Sequence, residues 1–154
     1  MTPTINDIKK DLEKRDKKEL LEYCLRLAKY KKENKELLGF ILFESDDIPQ
    51  FIENIKTDTE QSFGEINMTN VYFIKKSVRK ILRTINKYIK FAASKNTEAE
   101  LLIHFCNCMH RFSIPMAKSR QLQNIYDAQV KKITVAIDTL HPDLQYDLKM
   151  QIKY

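Results

Sequence analysis

Only two glycines, Gly39 and Gly64, interrupt a chain of 154 residues, and the prolines number four. Glycine supplies the left-handed backbone of tight turns, and proline pre-sets their first bend. A chain so poor in both has little from which to build β-hairpins, so the sequence points to an all-α architecture. Hydrophobic side chains make up 43% of the residues, enough for a folded core. The length suits a single helical domain over 1–154.

The longest unbroken helical pattern covers 70–95, NVYFIKKSVRKILRTINKYIKFAASK. Ile74, Val78, Ile81, Leu82, Ile85, Ile89 and Ala92 recur at three- and four-residue steps, which places them on one face of a helix. Val71, Phe73 and Tyr88 widen that face, and Asn70 is suited to cap the first turn.

The opposite face is basic. Eight of the 27 Lys and Arg residues, and none of the 21 Asp and Glu, lie between Val71 and Thr97. The chain carries +6 at neutral pH, so everything outside this segment sums to −2. Lys76, Lys80, Arg83, Lys87 and Lys90 step by four and three along one continuous stripe. Such a stripe has two readings. It can meet the phosphates of a nucleic acid or another anionic surface. Alternatively it is neutralised within the fold by the acidic stretch 44–65, above all by Glu53, Asp58 and Glu60.

Further helices are expected around this one. Thr4 caps a first helix over 4–13. Asp16 opens a second, with Glu19 placed to complete a capping box. Leu20, Leu21, Tyr23, Cys24, Leu25, Leu27 and Ala28 form its buried side, so Cys24 reads as a core residue. A third helix covers 33–43, where Gly39 suggests close helix approach or a weak point. A fourth starts near Pro49 and runs to about Phe63, with Gly64 as a suitable C-cap. Thr97-Glu98-Ala99-Glu100 reads as a second capping box for a helix to about 112. Helices over 118–140 and from 142 onward complete seven or eight, joined by short loops. They are expected to stack as antiparallel hairpins, in an array of the HEAT-like superhelical kind.

The opening IKKDLEKRDKKELLEYCLRLAKYKKENKELLGFIL resembles the start of a family of short, uncharacterised bacterial all-helical proteins. That family also places a lysine-rich helix where VYFIKKSVRKILRTINKYIKF stands here. The resemblance implies a helical fold over nearly the whole chain and lends no activity. The helical layout is also similar in general look to HEAT and tetratricopeptide repeats, without their consensus positions in order.

Chemistry-bearing motifs are few. His104, Cys106, Cys108 and His110 form H-x-C-x-C-x-H, but on a helix residues two apart point to opposite sides. The pairs His104/Cys108 and Cys106/His110 then face apart, and no metal or other cofactor is expected. Leu102, Phe105, Cys106, Met109 and Phe112 read as core, with Glu100, His104, Asn107 and Arg111 as an exposed polar edge. No Gly-rich phosphate loop, nucleophile elbow or H-E-x-x-H is present. Asp46, Asp47 and Glu53 read as helix-start residues. Tyr72 and Tyr88 flank the basic stripe and read as core or boundary packing residues, with stacking on bases as the alternative.

The sequence therefore implies a non-enzymatic helical scaffold or protein-interaction module, with a nucleic-acid-binding module using the basic face of 70–95 as the alternative. The apolar runs 37–43 and 101–105 are too short to span a bilayer. The charged N-terminus lacks a signal-peptide core, and three cysteines fit a reducing compartment, so a cytoplasmic location is expected, with no membrane partner.

Overall fold

The computed structural model describes residues 1–154 and contains eight α-helices and no β-strand, the all-α array implied by the glycine-poor sequence. The helices are α1 (Ile5–Leu12), α2 (Lys17–Tyr30), α3 (Lys32–Phe43), α4 (Ile48–Gly64), α5 (Val71–Ala92), α6 (Lys95–Arg111), α7 (Arg120–Asp138) and α8 (Pro142–Gln151). A short 3-10 turn, Met116–Lys118, precedes α7. The chain comprises two compact units, Met1–Glu44 and Ser45–Tyr154. No helix is long and apolar enough to cross a membrane.

Side chains set most helix starts, because the first N–H groups of a helix have no partner within it. Thr4 and Asp7 form a complete capping box. Asp16 accepts from the Glu19 N–H at 2.8 Å. The Glu19 carboxylate instead meets Arg15 and the Tyr23 hydroxyl, so the expected box closes on one side only. Asp47, Asn70 and Ser119 each accept a backbone N–H at the starts of α4, α5 and α7.

Two ends differ from expectation. Gly64 is the last residue of α4 and has no positive φ; Glu65, right-handed, follows as the cap. The α5–α6 junction falls earlier than the sequence suggests. Ala93 takes the left-handed conformation, φ 50° and ψ 41°, and Ser94 caps α6 by accepting from the Thr97 N–H. Thr97 is thus not a cap but a buried residue in the first turn of α6.

In the second unit α6 packs against α4, α5, α7 and α8. Its buried residues, Leu101, Leu102, Ile103, Phe105, Cys106, Cys108 and Met109, point in every direction, as a helix enclosed on all sides requires. Phe63 of α4 lies 5.7 Å from the rings of both Phe105 and Phe112. The organising element is therefore α6, while α5 contributes one stripe: Ile74, Val78, Ile81 and Ile85.

The polar residues of α6 are not a free edge. Glu100 receives Lys56 Nζ at 3.0 Å. Asn107 donates to the Gln151 carbonyl and accepts from the Lys153 N–H, both at 2.9 Å. Of the four residues expected on that edge, only Arg111 is exposed.

The first unit has a different character. Lys31 is extended and separates α2 from α3, which pack against each other. Asn34 fastens the bend by donating to the Leu27 carbonyl at 2.8 Å. Phe40 is the one buried residue of these three helices. Leu21, Leu25 and Leu27, expected inside, are 60%, 47% and 62% exposed, and Cys24 is exposed as well. Three short helices have too little apolar surface facing inward to close a core. Nothing lies within 4 Å of a Cβ built on Gly39, so this glycine does not mark close helix approach.

Candidate nucleic-acid interface

The basic face of α5 follows directly from its amphipathic phase. With Ile74, Val78, Ile81 and Ile85 turned to the core, the intervening Lys76, Arg79, Lys80, Arg83 and Lys90 must face outward, and all five are exposed. None of the five forms an ion pair. The acids expected to neutralise them are engaged elsewhere. Glu53 and Glu100 share Lys56, at 3.6 and 3.0 Å. Glu60 holds Arg111 at 3.1 Å and His104 at 3.4 Å. Asp58 lies near Lys80 across a groove without forming an ion pair.

The stripe divides between two flanks. Toward α4, Lys80 lines a groove of about 290 Å³ together with Asp58, Glu65, Thr59, Ser62 and Thr84. The other flank holds a cleft of about 360 Å³ lined by Tyr72, Lys75, Lys76, Arg79, Arg83 and Gln121. This cleft has four cations and no carboxylate. Its α5 wall steps 72, 75/76, 79, 83, one residue set per helical turn. Its far wall comes from the first turn of α7, where Gln121 Oε1 accepts from Lys75 Nζ at 2.8 Å. Lys118 and Arg120, beside Gln121 in the chain, are also exposed.

Of the five cations singled out from sequence, the cleft thus gathers Lys76 and Arg83. Lys80 belongs to the mixed groove, and Lys90 is exposed farther along the helix. Lys87 is half-buried, with Nζ 5.1 Å from the centre of the Tyr88 ring. Tyr88 packs edge-on against Phe51 and Phe91, so it is a packing residue rather than an open stacking platform. Lys75, Arg79 and Gln121 lie outside the stripe that the sequence suggests. The step 72–75–79–83 was visible in the sequence. Gln121, 46 residues from Lys75, had no local signal.

Within the histidine–cysteine segment, His104 and Cys108 come together on one side. His104 Nε2 sits 3.5 Å from Cys108 Sγ, 3.3 Å from the Lys56 carbonyl and 3.4 Å from Glu60 Oε1. Carbonyl and carboxylate oxygens only accept here, so Nε2 carries the hydrogen. Burial lowers the His104 pKa, with Lys56 and Arg111 adding to that effect and Glu60 opposing it. His110 packs instead against Tyr126 and Tyr154, on the side of α7 and the C-terminus. Burial pushes the Cys106 thiol up to about 12 and that of Cys108 to about 11, so both stay protonated and unreactive at neutral pH.

No family model, curated protein or solved structure matches this chain.

Proposed function

We propose that the chain is a non-enzymatic binding module whose α5 face takes the phosphate backbone of a nucleic acid. One observation carries this reading: Lys76, Arg79, Lys80, Arg83 and Lys90 are exposed and form no ion pair, while Glu53 and Glu60 pair with other residues. Exposed cations with no internal partner keep their full attraction for an external anion, and phosphate binding releases condensed counterions. From Tyr72 to Arg83 the helix advances about 16 Å at ~1.5 Å per residue, long enough for several successive phosphates.

The test is binding of labelled oligonucleotides over a range of salt. With the four cleft cations engaged, log affinity falls against log salt with a slope of about 3 on single strands. Lys76→Glu plus Arg83→Glu abolishes binding and leaves the helical circular dichroism unchanged. Loss of helicity in that variant would instead mean that the cations support the fold.

A second reading, a protein-interaction module, draws on a separate observation in the first unit: the exposed Leu21, Leu25, Leu27, Ile41, Leu42 and Phe43. Of these, Leu27 and Ile41 line one surface pocket with Leu37 and Leu38, and exposed apolar patches mark interaction surfaces. Sedimentation of the wild-type chain and a Leu25→Lys variant tests its simplest form, self-association, independently of oligonucleotide binding.

A further inference from the structure

We infer that the cleft between α5 and the start of α7 selects single-stranded nucleic acid, with Tyr72 as the platform on which a base stacks. This rests on the nucleic-acid reading above and adds to it the form of the ligand. Tyr72 stands at one end of the cleft. This residue is 61% exposed, yet it lines the same cleft as Lys75, Lys76, Arg79 and Arg83. Phe73, itself 45% exposed, meets the Tyr72 ring at 5.7 Å with an interplanar angle of 67°. An edge-to-face neighbour restrains the ring. The Asn70 cap at 2.7 Å from the Tyr72 N–H fixes the backbone beneath it.

A lone exposed aromatic on a protein surface needs no explanation. An aromatic held at one end of a row of four cations is a different arrangement. A duplex presents phosphates outward and keeps its base faces stacked inside, so it has nothing to offer the Tyr72 ring. A single strand presents both at once: phosphates for the cations and an open π-face for the ring.

The surroundings limit where such a strand can lie. On the α4 flank, Asp58 and Glu65 repel phosphate, which leaves the α7 flank. There Lys75 is tied to Gln121, and α7, 19 residues long, begins with the partial positive charge of its free N–H groups. Lys118 and Arg120 extend the positive field past the end of the cleft. The strand is therefore expected to run along Tyr72, Lys76, Arg79 and Arg83, with one base turned onto Tyr72.

Fluorescence anisotropy on the full chain tests this with two probes, an oligothymidine of about 16 nucleotides and a blunt-ended, fully paired duplex of equal charge. The single strand is expected to bind more tightly. Tyr72→Ala is expected to weaken single-strand binding by about 5- to 150-fold, the range for losing one base–aromatic stack. The same variant leaves the salt slope and the duplex affinity unchanged, and Tyr72→Phe keeps the wild-type value. Equal affinity for both probes, with Tyr72→Ala binding like wild type, would overturn the inference. In that case Lys76→Glu plus Arg83→Glu still abolishes binding, and the broader nucleic-acid reading stands. No salt-sensitive binding of either probe by the wild-type chain would sink both.

Discussion

The two units of this chain are built from the same kind of helix and reach opposite outcomes. In Ser45–Tyr154, α6 is enclosed by four other helices, and Leu101, Leu102, Phe105 and Met109 have almost no exposed surface. In Met1–Glu44, α2 has comparable leucine spacing, yet none of its residues is buried. The difference is the number of neighbours. An apolar stripe on a helix is stable only when something covers it, and helices of 12–14 residues on their own are marginal in water. Fold stability is thus expected to reside in the second unit, and helix propensity should dominate in the first.

The largest effect that would test this contrast is Phe105→Ala. Phe105 has no exposed surface and packs on Phe63, so truncation should destabilise the second unit by about 3–5 kcal/mol in denaturant unfolding. Ile85→Ala, on the buried stripe of α5, should cost about 2–4 kcal/mol. A change under ~0.5 kcal/mol at either position would mean that the core lies elsewhere.

A smaller effect depends on pH. Burial lowers the His104 pKa below its ordinary value of 6.5, so the unfolded chain takes up a proton that the folded chain resists. The stability from neutral His104 is full above pH 6.5 and declines as pH falls from there toward the lowered folded value. His104→Gln should flatten the unfolding midpoint across that window. A wild-type midpoint unchanged between pH 7.5 and 5.5 would contradict the assignment.

The remaining effects sharpen the contrast from the side of the first unit. A Cβ on Gly39 meets nothing, so Gly39→Ala should slow amide hydrogen exchange in α3 by the equivalent of about 0.8–1 kcal/mol, a gain from propensity alone. Smallest of all, Leu21→Ser should change global unfolding by less than ~0.5 kcal/mol, because Leu21 is already mostly exposed.

Much of the architecture could be read from residue spacing. Asn70 as a cap and Ile74, Val78, Ile81 and Ile85 as a buried stripe follow from period and cap chemistry, which are local. What failed was information held by other helices. Leu21 and Leu25 have the same spacing as buried residues, and amphipathy cannot state whether a partner helix exists. Glu100, His104 and Asn107 read as a polar edge because their partners Lys56, Glu60 and Gln151 lie more than 40 residues away. Ala93 gives no sign of its left-handed conformation, which glycine or asparagine would have announced. The cations of α5 were legible by count and phase. Their division between an acid-lined groove and an acid-free cleft was not, since α4 and α7 decide it.

The cysteines give the chain a practical asymmetry. Cys106 and Cys108 are buried with protonated thiols, while Cys24 is exposed on α2. Thiol-directed reagents act through the thiolate and need access. At neutral pH a maleimide dye or nitroxide should therefore attach once per folded chain, in the first unit. Unfolding should raise the count to three, so the stoichiometry of modification alone reports whether the second unit is closed.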